Sequence, residues 1–223
     1  MTADSFGPSM TKNQTSRSLL SRAQEDSSSE AWFQLSRIYE PLIAGWAVRA
    51  GISESHVDDI SQEVMQTLAQ ELAKFEHNGR VGAFRKWLKQ ITIFRCRRYW
   101  DRKKREVSTA KPIDDHSAIS FLNDLEDPSS DISRLWDEEH DKYVLDEILK
   151  LVKTEFVERD FEVFFRNSIK GESAKRISNK TGVSVGNVYK IKFRVITRLK
   201  EVAAGLLDGE ILDTDSTPTK PGG

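Results

Sequence analysis

The sequence predicts an all-α protein, built from two small helical domains joined by an acidic linker. Apolar residues recur at spacings of three and four in several long segments, and no pair of segments shows the alternating pattern of strands. The charge changes sign in blocks along the chain. Stretches rich in Ser, Pro and Asp separate the periodic segments. These observations favour helices over sheets and two units over one.

Length and composition exclude several classes of protein. A chain of 223 residues allows one large domain or two small ones. No apolar run approaches the roughly 18 residues that a membrane span needs. The segment after Met1 is polar and lacks the apolar core of a secretory signal. The single cysteine, Cys96, cannot form an internal disulfide. We therefore expect a cytoplasmic protein without a membrane span.

The net charge of -1 conceals large blocks of opposite charge along the chain. Residues 85–106 contain ten Lys or Arg and two acids, and residues 166–200 contain ten Lys or Arg and one acid. Between them, residues 113–147 contain twelve acids and two bases. Because salt screens charges beyond about 8 Å, each block presents its own local field. The basic blocks are candidate nucleic-acid surfaces, although a solvated helix face is the simpler interpretation of either block alone.

The predicted segments follow these changes of composition. We expect a disordered arm over residues 1–29, which carry eleven Ser or Thr and cannot bury enough apolar surface to fold. A first helical domain covers 30–106, and an acidic linker covers 107–133. A second helical domain covers 134–207. A disordered tail rich in Thr, Pro and Gly covers 208–223.

The first domain contains three predicted helices. The first carries an apolar stripe from Trp32 to Trp46, and Pro41 makes a kink or a break in it possible. The second begins after a Ser N-cap at Ser53 or Ser55. Its stripe is Val57, Ile60, Val64, Leu68 and Leu72. The third runs from about residue 82 to 105, apolar in its first half and basic and aromatic in its second. The linker that follows is predicted to be irregular, with a short turn of helix around Phe121 and Leu122.

The second domain ends in a predicted helix-turn-helix. A short helix over residues 173–180 precedes Gly182, which supplies the positive φ of a tight turn. Ser184 is placed to cap the next helix. That helix buries a stripe of Val185, Val188, Ile191, Val195, Leu199 and Val202. A capped helix with a polar and basic free face fits the major groove of DNA. The candidate DNA-binding residues are Ser184, Val185, Asn187, Tyr189, Lys190, Lys192 and Arg194. A helical bundle with a basic surface and no DNA remains the alternative.

The order of motifs resembles a known family. Residues 56–64 resemble the D-L-V-Q-E stretch of bacterial sigma factors, and residues 84–91 resemble their F-R-x-W-L-x-x-I motif. The basic run 95–105 and the predicted helix-turn-helix follow in the family's order. On these motifs the chain is similar to sigma factors of the extracytoplasmic-function (ECF) group, which combine a region two and a region four. Residues 125–140 are similar to the linkers of planctomycete members.

The resemblance implies partners and roles. It implies binding to core RNA polymerase, through the clamp helices of the largest subunit and the flap of the second, and to promoter DNA at −35 and −10 elements. The core-binding candidates are Asp58, Asp59, Gln62 and Glu63. An anti-sigma protein is a further partner that such factors use. No catalysis, cofactor or metal is expected, since the four His are scattered and no ligand motif is present.

The third helix and the loop before it are the candidates for the melted −10 strand. Cations hold a nucleic-acid backbone, and aromatic rings stack on unpaired bases. The candidates are Asn78, Arg80, Arg85, Lys89, Arg95, Arg98, Tyr99, Trp100 and Arg102. Trp87 is more typical of a core residue. Phe94 stands where the family has an Asn that takes part in −10 recognition, which puts the −10 preference in doubt.

Two points stay open on sequence alone. The acidic linker is either a soluble spacer, which reaches about 85 Å when extended, or a segment that enters the RNA-exit path of the polymerase, as in the family. These interpretations are compatible. The chain as a whole is a sigma factor, or alternatively a stand-alone helix-turn-helix regulator whose N-terminal half senses a signal or dimerises, or a protein interaction module that binds no DNA.

Overall fold

The protein is described by a computed structural model, which covers residues 18–26, 29–76, 82–106 and 116–207. These residues form nine α-helices and no strand, so the all-α prediction is confirmed. The helices are α1 (Leu19–Glu25), α2 (Glu30–Arg49), α3 (Glu54–Glu71), α4 (Ala83–Glu106), α5 (His116–Glu126), α6 (Asp131–Lys153), α7 (Glu158–Phe164), α8 (Ala174–Thr181) and α9 (Val185–Ala203). A short 3₁₀ helix, Leu72–Lys74, follows α3, and a π-helical turn, Phe165–Ile169, follows α7.

Helices α2, α3 and α4 pack together as the first half of the fold. Ser53 occupies the N-cap position of α3, one of the two positions predicted. The predicted stripe of α3 is buried, from Val57 to Leu72. Pro41 lies inside α2 without ending it, so the possible break into two helices does not occur. The stripe of α2 is also buried, with Leu35, Tyr39 and Ile43 inaccessible to solvent.

Part of the segment expected to be disordered forms helix α1. Leu19 and Leu20 of α1 are buried against the core, and α1 packs on both α2 and α9. The Nε2 of Gln24 donates to the carbonyl oxygens of Leu72, at 3.2 Å, and Phe75, at 2.8 Å. The disordered-arm prediction over 1–29 is therefore wrong at α1, because two adjacent leucines find an apolar site that sequence composition does not reveal. Residues 1–17 lie outside the described part of the chain.

The predicted linker contains more helix than expected. Helix α5 has 11 residues, where a single turn around Phe121 was expected, and α6 begins at Asp131. Leu122 and Leu125 of α5 are buried. The Nη2 of Arg97 on α4 donates to Asn123 and Glu126 of α5, at 2.9 and 2.7 Å. This segment is held on α4 rather than extended, and residues 107–115 are not among those described.

Helix α6 joins the two halves. Its first turns pack on α2, where the ring of Trp136 lies 5.0 Å from that of Trp46 between centroids, and Trp136 is fully buried. Its last turns pack on α9 through Val144, Ile148 and Val152. One cluster of buried side chains therefore runs from α1 to α9. The division into two domains stays a prediction.

Candidate nucleic-acid and polymerase interfaces

The α8–turn–α9 unit has the local geometry that the sequence predicts. Ser173 caps α8, its Oγ accepting from the backbone N–H of Arg176 at 3.3 Å. Gly182 ends α8 with φ 71°, the left-handed conformation that glycine adopts without strain. Ser184 caps α9, and its Oγ accepts from the N–H of Asn187 at 3.3 Å. The two helices are therefore joined by a tight three-residue turn and pack on each other.

Helix α9 separates a buried face from an exposed one. Val188, Ile191, Val195, Leu199 and Val202 are buried, as the stripe predicts. Val185 is the exception: 41% of it is exposed, and its neighbours in the first turn of α9 are exposed as well. Its assignment to the buried stripe is wrong, whereas its exposure agrees with its place among the DNA-binding candidates.

The remaining candidates on α9 differ in how accessible they are. Asn187, Tyr189 and Lys190 are exposed, and Lys192 is half-buried. Arg194 is exposed but held in place. Its Nη2 donates to Asp160 at 3.1 Å, and its guanidinium lies 5.7 Å from the ring centroid of Phe156. The polar surface of α9 is thus densest in its first two turns, nearest the capped end.

Sequence reasoning missed one residue of this surface, Phe193. It is 72% exposed, the most exposed large apolar side chain among the described residues. The signal was present in the sequence, because Phe193 follows Tyr189 and Val185 at intervals of four and therefore lies on the same side of the helix.

At the start of α4, two of the −10 candidates face helix α6. Arg85 forms ion pairs with Asp141 and, through Nε at 3.2 Å, with Asp137. Lys89 is buried, and its Nζ donates to the Oγ of Ser133 at 2.8 Å and lies 3.1 Å from Asp137. Burial lowers the pKa of Lys89, while Asp137 opposes that change. Both cations are occupied by internal acids in this structure.

Further along α4, the cations approach α3. The Nη2 of Arg95 donates to Thr67 at 2.6 Å, and its Nη1 lies 3.5 Å from Glu63. Arg102 donates to the same carboxylate at 3.3 Å and is about half exposed. Arg98 is exposed. Arg98 and Arg102 are therefore the most accessible of the predicted −10 cations in the described chain.

The two aromatic candidates of α4 are buried. Tyr99 is 6% exposed and Trp100 is 8% exposed. The Nε1 of Trp100 donates to the carbonyl of Ala50 at 3.0 Å, and the hydroxyl of Tyr99 lies 3.2 Å from Ser53. The prediction that their rings face unstacked bases is wrong in this structure, because α4 turns them inward to complete a second apolar cluster with α2, α3 and α5.

The other residues that the sequence places near the −10 surface differ in their exposure. Trp87 is half-buried and stacks on Phe75 with centroids 4.7 Å apart, in agreement with its assignment to the core. Phe94 is 58% exposed, next to Arg95. Asn78 and Arg80 lie outside the described residues.

The core-binding candidates lie together on α3. Asp58, Asp59 and Gln62 are exposed, and Glu63 is half-buried by its pairing with α4. Asp59, Gln62 and Glu63 border a groove of about 510 Å³ between α3 and α4, whose opposite wall carries cations. The groove is lined by His56, Asp59, Gln62, Glu63, Gln66, Tyr99, Arg102 and Lys103. The surface is therefore acidic along α3 and becomes basic across the groove.

Two other kinds of site are not seen in the described chain. Among residues 18–26, 29–76, 82–106 and 116–207, no group of His, Cys, Asp or Glu side chains is arranged to hold a metal ion. No helix in the same residues is long and apolar enough to cross a membrane.

Comparison with known proteins finds a family match for the segment from α2 to α4. Residues 35–106 match the family model of Sigma-70 region 2, from within α2 to the end of α4. The match covers about a third of the chain. No curated protein matches the sequence. The matched helices carry both the acidic surface of α3 and the basic surface of α4. This match supports a sigma-70 family RNA polymerase sigma factor, which acts in promoter recognition and transcription initiation.

Proposed function

We propose that the protein is a sigma factor of the ECF group that binds core RNA polymerase and directs it to promoters with −35 and −10 elements. One observation carries the proposal. The Sigma-70 region 2 segment is followed in the same chain by two capped helices joined at a left-handed glycine, with a polar and basic face on the second. This order of a region-two unit and a DNA-reading unit is the one that the sequence resemblance implies.

Recognition of the −35 duplex is the proposed role of α9. Its first two turns expose Asn187 and Lys190, and neither side chain is needed by the core. Asn pairs with adenine and Lys with guanine at base edges in the major groove. Lys175, Arg176 and Lys180 of α8 are exposed, which suits contacts to phosphates on either side of the groove.

Binding of core polymerase is the proposed role of the acidic surface of α3. Asp58, Asp59 and Gln62 point to solvent, and charge complementarity favours a basic partner helix. The neighbouring Glu63 is tied to Arg95 and Arg102, so it shapes the edge of the surface rather than its centre.

Stabilisation of the melted −10 strand is the proposed role of the solvent side of α4. Arg98 and Arg102 are placed to hold the backbone of a single strand. Asn78 and Arg80 remain candidates for capture of a base. Arg85 and Lys89 serve the contact with α6 in this structure, and their part in strand binding is proposed only for a state in which that contact has opened.

The proposal is tested with purified protein, core RNA polymerase and a library of randomised promoters. We expect the protein to stimulate promoter-dependent transcripts, and Asp59→Arg to lower the affinity for core by at least about tenfold, because reversing a charge opposes a basic partner. Glu71→Arg is the matched control, since Glu71 is an exposed acid at the far end of the same helix, outside the proposed polymerase-binding surface. Failure to stimulate any promoter would overturn the proposed function. Normal affinity of Asp59→Arg for core would overturn the assignment of this surface.

A further inference from the structure

The free side of α9 carries apolar groups as well as charges. Val185, Tyr189 and Phe193, which we call the aromatic face, are 41%, 58% and 72% exposed. They recur every four residues and so form one stripe along just over two turns. Phe193 lies directly opposite the buried Val188 and Val195, and it therefore contributes little to the core. A stripe of exposed apolar side chains is typical of a surface that binds a partner.

Gly186 lies beside this stripe, in the first turn of the same helix. Its φ is not in the left-handed region, and a Cβ atom built on it meets nothing within 4 Å. The fold therefore does not require glycine at this position, although glycine within a helix costs up to about 1 kcal/mol relative to alanine. Because Gly186 lies beside the exposed stripe, the absence of a side chain there leaves room for close approach by an external partner.

The charges around the aromatic face favour duplex DNA as that partner. Lys190 lies next to the stripe, and α8 contributes Lys175, Arg176 and Lys180, all exposed. In residues 166–200, Glu172 is the single acid, and it is shared by Arg166 at 2.8 Å, Arg176 at 3.6 Å and Lys180 at 3.9 Å, so the cations remain in excess. A protein partner would need an apolar groove with acidic walls, whereas DNA presents two rows of phosphates about a major groove as wide as a helix.

Within the major groove, one base offers an apolar group. The 5-methyl of thymine is the feature that apolar and aromatic side chains contact at base edges. From Val185 to Phe193 the helix advances about 12 Å, which corresponds to roughly three or four base-pair steps. A glycine at the end nearest the cap would let the helix backbone approach the bases without a side chain in between.

We propose that the aromatic face reads thymine 5-methyl groups within the −35 element, with Gly186 at the point of closest approach to the DNA. Val185, Tyr189 and Phe193 are then specificity-determining residues, in addition to the polar contacts of Asn187 and Lys190. The proposal rests on the proposed function, and it assigns to this chain a preference for a short run of thymines rather than a purely polar readout.

The test replaces thymine by deoxyuridine, which removes the methyl group and leaves the hydrogen-bonding edge unchanged. A promoter is first selected from a randomised library by the protein with core polymerase, and its −35 thymines are replaced one at a time. We expect holoenzyme binding to weaken by roughly fourfold for each methyl contacted, from the free energy of burying one such group. Replacement of thymines outside the −35 element is the control.

Variants link this preference to the aromatic face. We expect Phe193→Ala to weaken promoter binding about tenfold and to abolish the preference for thymine over deoxyuridine at one position. Phe33→Ala, which truncates an exposed phenylalanine of α2, leaves the promoter affinity and the thymine preference unchanged.

We expect Gly186→Ala to raise the melting temperature of the protein yet weaken promoter binding. Gly45→Ala, at a helical glycine of α2 with equally open surroundings, raises the melting temperature alone.

The results distinguish a face that reads DNA from a face that binds protein. Loss of discrimination in Phe193→Ala together with opposite effects of Gly186→Ala on stability and binding supports the proposal. Active holoenzyme that is indifferent to deoxyuridine overturns it while leaving the proposed function intact. Variants that lower affinity for core, or that change self-association, while keeping the thymine preference also overturn it, because the face is then a protein interface. Absence of any promoter-dependent transcript overturns both proposals.

Discussion

The Nε2 of His140 lies 3.2 Å from the hydroxyl oxygen of Tyr39, in the interior where α6 meets α2. Both side chains are fully buried. The other ring nitrogen of His140, Nδ1, lies 2.9 Å from Asp141, which is itself paired with Arg85 of α4. A continuous polar chain therefore crosses the contact between the matched sigma segment and α6. Buried networks of this kind are costly to break, because each group left without a partner keeps its desolvation penalty.

The free energy of unfolding is expected to fall as the pH is lowered, because His140 becomes protonated in the unfolded chain. Burial lowers the pKa of His140, opposed by the hydrogen bond with Asp141, so the folded protein keeps this ring neutral at pH values where the unfolded chain protonates it. The unfolded state then binds more protons, and stability falls from about pH 6.5 downward until the folded pKa is reached. Denaturant unfolding between pH 7.5 and 5 measures this fall.

His140→Gln provides the control for that fall. The variant lowers stability at every pH but flattens the dependence between pH 7 and 5, because the titrating ring is gone. Arg85, Asp137 and Asp141 also face the ring. Asp141 has a pKa held below its usual range, despite its burial, by hydrogen bonds from His140 and Arg85, so its own contribution is lost only at more acidic pH. An unchanged slope in His140→Gln would show that other groups cause the decline.

The two arginines of α4 that sequence reasoning treated alike are expected to behave differently. Arg85→Ala removes a mostly buried side chain that pairs with Asp137 and Asp141, so it should cost about 1–3 kcal/mol of unfolding free energy. Arg98→Ala removes an exposed side chain and should change stability by less than about 0.5 kcal/mol. Urea unfolding of the two variants checks the difference. Equal stability would mean that the contact between α4 and α6 is absent in solution.

The thiol of Cys96 is expected to be inert in the folded protein. Burial raises its pKa to about 12, so the reactive thiolate is on the order of 10⁻⁴ of the population at pH 8. Alkylation by iodoacetamide should be slow in native buffer and fast in denaturant. Comparable rates under the two conditions would contradict the packing of α4 on α2 and α3.

Two glycine variants should shift stability in opposite directions. Gly182→Ala forces a side chain into a left-handed turn with φ 71° and should destabilise the protein by about 1–2 kcal/mol. Gly45→Ala fills open space on a helix and should stabilise it by about 0.5–1 kcal/mol. For a protein of this length, each kcal/mol moves the melting temperature by about 2–4 °C. A neutral Gly182→Ala would show that the turn before α9 differs from the one described.

Local signals in the sequence predicted much of this architecture. The N-cap at Ser184 and the turn at Gly182 depend on residues close in the chain, and the structure has them where they were expected. Ser53, one of the two predicted positions, is the N-cap residue of α3. The buried stripes of α3 and α9 follow from helical period alone, apart from Val185 at the start of α9. Caps, turns and buried stripes each depend on a few residues close in the chain, so the local sequence is enough to predict them.

The errors concern contacts between distant segments. Helix α1 exists because Leu19 and Leu20 find a site formed by α2 and α9, which composition cannot show. Tyr99 and Trp100 were assigned to DNA because they lie among cations, yet both rings turn inward toward Ala50 and Ser53. Along a helix that is basic and aromatic on every side, periodicity does not indicate which side is buried. Phe193 is the converse case, because it lies off the buried stripe and its spacing of four from Tyr189 places it on the exposed side of α9.

The role of α9 in promoter choice is tested by substitution of its exposed polar residues. Asn187→Ala and Lys190→Ala should each weaken −35-dependent initiation by roughly five- to a hundredfold, as expected for the loss of a base-edge contact. Affinity for core polymerase should be unchanged. Lys142→Ala, at an exposed lysine of α6 that is remote in sequence from α9, is the matched control. Loss of core binding in the α9 variants would contradict a role confined to DNA.

The central claim is that this chain directs RNA polymerase to promoters, and sequencing of the transcripts made on genomic DNA tests it most directly. Core polymerase alone is compared with core polymerase plus the protein. We predict new 5′ ends that appear only with the protein and share two upstream elements at a fixed spacing, and that are lost with Asp59→Arg. Identical transcripts with and without the protein would contradict the claim.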